Sequence, residues 1–191
     1  MKISFHNSIE EISKESWDAL IGDLNYPFLK HDFLKTLEIT NCVGTNTGWI
    51  PIHITLKRGE ELIAAMPLYL KSHSQGEFVF DHSWANAFYQ HGLDYYPKLV
   101  SSIPHTPASG PRFLLKDGEE KSVLFEKIKE GVKMISSKNN ISSWHILFPE
   151  KDEINFYENS QLSIRKNAQF IWFNKDYKNF GNYLENFRSR H

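Results

Sequence analysis

Alternating hydrophobic and polar positions in the first half of the chain predict strands. Residues 50–56 place isoleucine or leucine at every second position, which is typical of a half-buried strand. A polar turn at 57–60 follows, and residues 61–70 (ELIAAMPLYL) are predicted to form the second arm of a hairpin. Residues 2–6 and 78–80 are predicted to be two further short strands.

The hydrophobic period changes to that of helices elsewhere in the chain. Ser8–Glu11 has the pattern of a capping box, and a helix is predicted from there to about Ile21. Further helices are predicted over roughly 29–40, 121–138 and 180–187, where apolar residues recur at three- and four-residue spacing. Residues 112–115, 141–148 and 162–173 are predicted to be strands, and 152–159 a weaker helix.

This order of elements predicts an α/β (α+β) fold. The hairpin gives antiparallel pairing, and the strand–helix–strand units of the second half give parallel neighbours. We therefore expect a mixed, twisted sheet with helices on both faces. The order is similar to that of the N-acetyltransferase-like (GNAT) fold, with residues 76–112 as a long irregular insertion before the long helix.

Residues 76–112 form the most informative segment, because neither a helix period nor a strand period runs through them. The segment contains seven aromatic residues, three histidines, four prolines and three glycines. It is too apolar for a disordered linker, and a long loop inside a compact domain is usually a site or a lid over one. We expect it to fold inward and to line a ligand cavity beside the central strands.

Charge and composition narrow the possible partners. The 22 basic and 23 acidic residues give a net charge of −1, which argues against a general DNA-binding protein. The single cysteine, Cys42, rules out an intrachain disulfide and suits a reducing compartment. The N-terminus lacks the apolar core of a signal peptide, and no stretch approaches the roughly 18 apolar residues of a membrane span. The expectation is a cytoplasmic protein.

Several kinds of catalytic site have no signature in the sequence. The histidines show neither HExxH nor a zinc-ligand spacing, although Asp81–His82 and His91 could in principle converge, so no metal is predicted. There is no GxSxG nucleophile elbow. Residues 116–121 (KDGEEK), at the start of the long helix, would repel a pyrophosphate, which counts against ordinary acetyl-coenzyme A binding.

The proline-rich part of the irregular segment supplies the candidate binding residues. Four prolines within residues 97–111 restrict the backbone, so the side chains there are held in place. Lys98 and Arg112 could bind a phosphate or a carboxylate, and the aromatic residues could form the pocket walls. The alternative is that the tyrosines cap the core, Lys98 is solvated and Arg112 pairs with a local acid. The candidate substrate-binding residues are Trp84, Tyr95, Tyr96, Lys98, Thr106 and Arg112.

Glu77 and Asp81 are the candidate catalytic residues. They flank Phe78–Phe80, and a period of two places both carboxylates on one face, opposite the two phenylalanines. Two carboxylates on one face beside a polar loop could be a general-base pair. They could equally form a solvated edge.

Long sequence strings spread over almost the whole chain carry a family resemblance. They are Pro27–Leu29, Asp32–Leu34, Leu37–Glu38, Gly48–Trp49, Ala65–Ser74, Gly76–Asp81, Trp84–Ala85, Tyr95–Leu99, Thr106–Pro107, Gly110–Arg112 and Gln169–Asn174. In these strings the chain resembles the bacterial FemAB-like family called "peptidoglycan biosynthesis/recognition" proteins. His105 departs from the pattern, which has Phe before Thr-Pro, so His105 is left out of the catalytic prediction.

The resemblance implies an acyltransferase by fold, related to Fem-type enzymes that move an amino acid from aminoacyl-tRNA onto an amino group of a peptidoglycan precursor. It implies aminoacyl-tRNA or acyl-coenzyme A as donor and a small-molecule or peptide-like acceptor, and it carries over no catalytic residue. Family members are about twice as long. We therefore expect residues 1–175 to be one GNAT-like domain and 176–191 a helix leading to a second half.

Two functions follow from these observations. The first is transfer of an acyl or aminoacyl group to an amine, with Glu77 or Asp81 as base, and Lys98 and Arg112 gripping an anionic donor or acceptor. The second is a module that recognises a cell-wall precursor or a peptide in the same cleft without chemistry.

Overall fold

A computed structural model of the chain describes residues 1–23, 26–166, 168 and 170–187. The strands in these residues are β1 (Lys2–His6), β2 (Trp49–Pro51), β3 (His53–Arg58), β4 (Glu61–Met66), β5 (Tyr69–Lys71), β6 (Lys98–Ser101), β7 (Leu114–Leu115) and β8 (Trp144–Ile146). The α-helices are α1 (Lys14–Ala19), α2 (His31–Ile39), α3 (His82–Gln90), α4 (Lys121–Lys138), α5 (Ile154–Asn159) and α6 (Phe180–Leu184).

The strands form two four-stranded sheets. The first sheet has the order β1-β3-β4-β7 and is antiparallel throughout. The second sheet has the order β2-β5-β6-β8, in which β6 and β8 are parallel and the other pairs antiparallel. Antiparallel hairpin pairing and one parallel pair joined through α4 confirm the predicted mixed α/β architecture.

Both arms of the predicted hairpin pass from one sheet into the other. The first arm is interrupted at Ile52, and the second at Pro67–Leu68, where proline has no N–H to donate to a ladder. The amide of Ile52 still donates to the carbonyl of Leu68 (2.8 Å), so the arms stay paired across the break. β6 and β7 pair in turn with the two parts of the second arm, and residues 102–113 leave the sheet between them.

Helices cover both faces, as predicted. On one face α4 buries Leu124, Phe125 and Ile128 against β3 and β4. Gly131 lets this helix approach closely, because a Cβ there would lie 3.0 Å from Ile54 Cδ1. On the other face α1 and α2 form a second apolar cluster, in which Trp17, Leu29 and Leu34 are fully buried.

The N-terminal helix differs from its prediction. Residues 9–11 form a 3-10 turn, and α1 begins only after Ser13, whose hydroxyl accepts from the amide of Ser16. The carboxylate that completes the cap at Ser8 comes from Glu38 in α2, which accepts from the Ser8 hydroxyl (2.6 Å). Glu11 pairs instead with His6 (3.4 Å). A tertiary contact therefore replaces the predicted local one.

Two predicted strands are wrong. Residues 78–80 and the described part of 162–173 form no ladder, Phe78 has a left-handed φ of 57°, and Phe170 is 98% exposed. Gln169 lies outside the described residues. Conversely, α3 and β6 lie inside the segment that shows no regular period in the sequence. Among the described residues, no helix is long and apolar enough to cross a bilayer.

Candidate active site

The candidate site lies on one face of the second sheet. One face of this sheet packs against the apolar cluster that contains Leu124, Phe125 and Ile128 of α4. The side chains on that face are Leu70, Leu99, Trp144 and Ile146. Because side chains alternate along strands, the residues between them point to the opposite face. That face carries Lys71 on β5, Lys98 on β6 and His145 on β8.

Lys98 is the centre of a buried ionic network. Its Nζ lies 2.8 Å from Glu77 Oε2, 2.5 Å from Asp81 Oδ2 and 3.0 Å from Ser74 Oγ. Lys98 is fully buried, and the two carboxylic residues are each 1% exposed. A buried charge is tolerated only with a close partner, so the three groups are mutually dependent.

The two neighbouring tyrosines are tied to this network through their hydroxyls. Tyr95 donates to Asp81 Oδ2 (2.7 Å), and the Tyr96 hydroxyl lies 2.7 Å from Ser74 Oγ. Their rings stand 5.2 Å and 5.7 Å from the Lys98 ammonium group. Burial, reinforced by the Asp81 hydrogen bond, raises the pKa of Tyr95, so this hydroxyl stays a donor.

Each carboxylate keeps one oxygen free. Glu77 Oε1 and Asp81 Oδ1 are buried and have no hydrogen-bond partner among the described residues. Burial raises the pKa of Glu77, and the charge of Lys98 only partly offsets this. Burial acts on Asp81 in the same direction, but hydrogen bonds from Lys98 and Tyr95 hold its pKa below the ordinary value. The two carboxyls therefore differ in basicity.

Lys71 is a second buried cation beside Lys98. Its Nζ lies 3.8 Å from the ring centroid of Trp49 and donates to the carbonyl of Gln75 (3.2 Å). Trp49 Nε1 donates to the same carbonyl (3.1 Å). Burial lowers the pKa of Lys71 to about 8, against the opposing charge of Glu77. Lys71 and Trp49 thus anchor the turn that leads into Glu77.

The predicted alternation around Glu77 and Asp81 holds even though no strand forms. Glu77 and Asp81 are buried, whereas Phe78 and Phe80 are 56% and 78% exposed. The solvated-edge alternative is therefore wrong, since the carboxylates turn inward to Lys98 and the phenylalanines turn outward.

Trp84 lies at the outer edge of the network. It is on α3, is 45% exposed and has its ring centroid 6.3 Å from that of His145. The guanidinium of Arg165 lies 4.9 Å above the Trp84 ring and donates to the carbonyl of Phe80 (2.6 Å). An aromatic ring and a cation therefore flank the same edge.

The structure does not bring Arg112 and Thr106 to the carboxylates. The fully buried Arg112 donates to the carbonyls of Leu147 (2.9 Å), Gly110 (3.0 Å) and Ala108 (2.5 Å). Arg112 therefore binds backbone carbonyls and not a neighbouring acidic side chain, which was the alternative expected from the sequence. The Thr106 hydroxyl donates to the carbonyl of Pro104 (3.1 Å), within its own turn.

The irregular segment folds inward, with Tyr95, Lys98 and Arg112 buried, whereas its expected role in lining a ligand cavity stays a prediction. Two surface hollows, of about 470 and 430 Å³, lie elsewhere, and neither is lined by a predicted site residue. The first is lined by residues 172–183 and the second mainly by α4. Polar side chains occupy the interior beneath the segment.

Sequence reasoning did not single out Lys71, Ser74 or His145. Alternation from Tyr69 could have placed Lys71 on an inward face. The same argument applied to Trp144 and Ile146 could have separated His145 from the surface histidines. Ser74 lies in a turn and has no such signal.

Comparison with known proteins places the chain in a family. Residues 8–191 match the FemAB-like family model, described as peptidoglycan biosynthesis/recognition. The chain belongs to the FemAB-like family. No curated protein matches it.

Solved structures show the fold of this FemAB-like protein. The apo aminoglycoside 6'-N-acetyltransferase AAC(6')-IG from Acinetobacter haemolyticus is 10% identical, with a TM-score of 0.52 over 92% of this chain and 99% of that one. A possible acetyltransferase from Clostridium difficile 630 is 12% identical, with a TM-score of 0.51 over 90% and 96% of the two chains. The predicted GNAT-type fold is confirmed.

Proposed function

We propose that this FemAB-like protein is an N-acyltransferase that moves an acyl or aminoacyl group onto an amine. The acceptor is a small-molecule or peptide-like amine, and we propose cell-wall precursor metabolism as its setting. The family and the GNAT-type fold support the reaction class. Fold alone does not determine function, so the residues of the site must supply the chemistry.

One observation carries the proposal: two buried carboxylates meet at Lys98, and each keeps a free oxygen. A free carboxylate oxygen can accept a hydrogen bond from an amine and then take its proton. Glu77 suits the role of base better than Asp81, since a base works best with a pKa near the operating pH and burial raises that of Glu77. Asp81 holds Lys98 and Tyr95 in place.

The proposed step is an ordinary acyl transfer. The amine nitrogen forms a bond to the acyl carbon, and the carbonyl electron pair moves onto the oxygen. Glu77 takes the proton that the nitrogen loses. When the carbonyl re-forms, the bond to the donor's thiolate or alkoxide breaks, and this leaving group receives the proton from Glu77.

Access to the carboxylates requires movement of residues 76–81. Both carboxylic residues are only 1% exposed, so an amine reaches them when this segment shifts outward. Phe78 and Phe80 are largely exposed, and their rings contribute little packing that would resist the shift. Trp84 and Arg165 lie beside the segment and would contact the acceptor there.

The turn before α4 does not suit a pyrophosphate. Asp117 and Glu120 place carboxylates beside the helix N-terminus. The nearby Lys116 pairs with Glu61, and Arg58 binds Glu119 through two hydrogen bonds of 2.7 and 2.8 Å. Both cations are thus already engaged. Coenzyme A and aminoacyl-tRNA donors must therefore be compared directly.

The test combines Glu77→Gln with Asp81→Asn. Acetyl-coenzyme A and alanyl-tRNA serve as donors, Nα-acetyl-lysine amide as acceptor, and mass spectrometry detects the acylated product. Because the double variant removes both buried ion-pair partners of Lys98, far-UV circular dichroism and the urea midpoint first establish that it is folded. We then expect it to bind the same donor as the wild type while losing turnover by roughly 10²–10⁴-fold. The control is Glu61→Gln, which removes an exposed carboxylate paired with Lys116. Wild-type turnover in the double variant contradicts the proposal.

A non-catalytic binding module is the second candidate, and the closed position of the carboxylates favours it. The exposed Trp84 ring with Arg165 could stack on a ligand without using Glu77 or Asp81. Binding without product, unaffected by the double substitution, identifies the module. Lys98→Ala and Arg112→Ala do not separate the two functions, since both would leave buried polar groups unpaired.

A further inference from the structure

His145 occupies the accessible edge of the ionic network. It lies on β8 opposite Val100 of β6, on the sheet face that carries Lys98. Its ring centroid stands 6.2 Å from that of Tyr95 and 6.3 Å from that of Trp84. Lys98 and the carboxylates are closed to solvent, whereas His145 is only partly buried. A substrate at the Trp84 edge therefore meets His145 before the carboxylates.

The charges around His145 are mainly positive. Lys98 faces it from β6 and Arg165 from the segment after α5, while Asp81 faces it from the start of α3. Burial lowers the pKa of His145 to about 4. The charges of Lys98 and Arg165 act in the same direction, and the charge of Asp81 opposes them. At neutral pH the ring is therefore uncharged and keeps a single N–H. The same cations stabilise negative charge that develops beside the ring.

The hydrogen bonds of His145 leave one ring nitrogen for a ligand. Nε2 lies 2.9 Å from Ser143 Oγ, and Ser143 Oγ lies 3.2 Å from the oxygen of Ser142, whose hydroxyl donates to the carbonyl of Tyr95. Among the described residues, Nδ1 has no hydrogen-bond partner. When the Ser143 hydroxyl donates to Nε2, the ring proton is on Nδ1 and is available to a substrate.

We propose that His145 is a catalytic residue of the transfer, whose N–H donates a hydrogen bond to the acyl oxygen as that oxygen becomes negative. This inference rests on the proposed function and adds a role distinct from that of Glu77. Glu77 takes the amine proton, and His145 keeps its own proton throughout. Lys98 and Arg165 provide a positive potential at the same oxygen. A neutral imidazole donor of this kind is well suited to a developing oxyanion.

The test compares three variants at position 145. His145→Asn and His145→Gln place an amide N–H near the positions of Nδ1 and Nε2, whereas His145→Phe keeps the ring shape between Tyr95 and Trp84 without a donor. We expect His145→Phe to lose about 10²–10³-fold in kcat, and at least one amide variant to retain most of it. A base at this position would give equal losses in all three.

The pH profile supplies a second readout. A donor that stays neutral gives no inflection in kcat between pH 5.5 and about 8 from His145, and NMR should show its ring titrating well below the usual range for histidine. Far-UV circular dichroism and the urea midpoint establish that each variant is folded. The assay uses acetyl-coenzyme A and alanyl-tRNA with Nα-acetyl-lysine amide.

The outcomes separate this inference from the proposed function. If the wild type transfers neither group, the proposed function fails and the role of His145 falls with it. If the wild type and His145→Phe are equally active while Glu77→Gln is inactive, only the role of His145 is overturned. Equal loss in all three variants, or titration of the ring near neutrality, also overturns it.

Discussion

Lys71 and Lys98 stand directly opposite each other on antiparallel strands β5 and β6, with both side chains fully buried. Like charges at opposed positions destabilise a sheet. The two lysines are tolerated here because Glu77 and Asp81 turn inward and supply two negative charges. The four groups form a neutral set, and removal of any one leaves a buried charge uncompensated.

Lys98→Met is expected to destabilise the protein strongly. It leaves Glu77 and Asp81 close together without their shared cation, and breaking a buried pair in this way typically costs about 3–5 kcal/mol. Urea unfolding at pH 7 measures the loss. The matched control is Lys14→Met, which removes the exposed Lys14–Asp32 pair and should leave the midpoint nearly unchanged.

The triple variant Lys98→Met, Glu77→Gln, Asp81→Asn tests whether unpaired charge causes this loss of stability. Lys71 stays buried in this variant, but the two like carboxylate charges are gone. The triple variant should therefore be more stable than Lys98→Met alone, since the penalty comes from unpaired charge and not from lost volume. A single variant as stable as the wild type, or a triple variant less stable than the single one, contradicts the buried network.

Because the pKa of Lys71 is lowered in the folded protein, we expect the protein to become more stable as the pH rises. Its folded pKa of about 8 lies below the ordinary value of 10.5, so between these values the unfolded chain binds more protons than the folded one. The free energy of unfolding should therefore increase, by roughly 1–2 kcal/mol between pH 7.5 and 9.5. Lys71→Met should lack this increase. Urea midpoints measured across the range provide the check.

The control for Lys71 is Lys2→Met, which changes an exposed lysine on β1. This variant should keep the wild-type pH dependence. If Lys71→Met shows the same rise as the wild type, another group causes it and Lys71 is not the shifted cation.

The sequence predicted the fold correctly wherever hydrophobic residues recur with the spacing of a strand or a helix. The hairpin arms and the apolar face of α4 were recognisable because each has one exposed and one buried side. The sequence did not show that both arms pass from one sheet into the other. This passage depends on Pro67 and on pairing with β6 and β7, which are distant in the chain. β6 itself was missed because all four of its residues, two of them polar, are buried.

The candidate site was predictable in part. Alternation gave the shared orientation of Glu77 and Asp81, and the proline-rich segment gave Lys98 and the tyrosines. Local pattern could not show that Lys98 joins both carboxylates, because these contacts span 21 and 17 residues. The local sequence pattern also could not show that Arg112 lies apart from the Lys98 network. The guanidinium of Arg112 binds carbonyls of its own loop and of Leu147.

Arg112→Met is expected to destabilise the 108–111 loop. The guanidinium is fully buried and holds the carbonyls of Ala108, Gly110 and Leu147, which methionine cannot do. Unsatisfied buried acceptors typically cost about 1–3 kcal/mol each, so we expect a loss of roughly 3 kcal/mol in urea unfolding. Arg58→Met, which removes a half-exposed guanidinium, should have little effect. An equally mild effect of Arg112→Met would contradict a structural role.

Gly76→Ala and Gly118→Ala form a matched pair that tests the turn before Glu77. Both glycines have positive φ (78° and 80°), so alanine strains the backbone alike, by roughly 1–2 kcal/mol. A Cβ at Gly76 would also lie 2.6 Å from His105 Nδ1 and 3.0 Å from Trp49 Nε1, whereas nothing lies within 4 Å at Gly118. The exposed His105 can move away, but the buried Trp49 is held by Gln75. We therefore expect Gly76→Ala to lose about 1–3 kcal/mol more in urea unfolding than Gly118→Ala. Equal losses would show that the turn is not packed against Trp49.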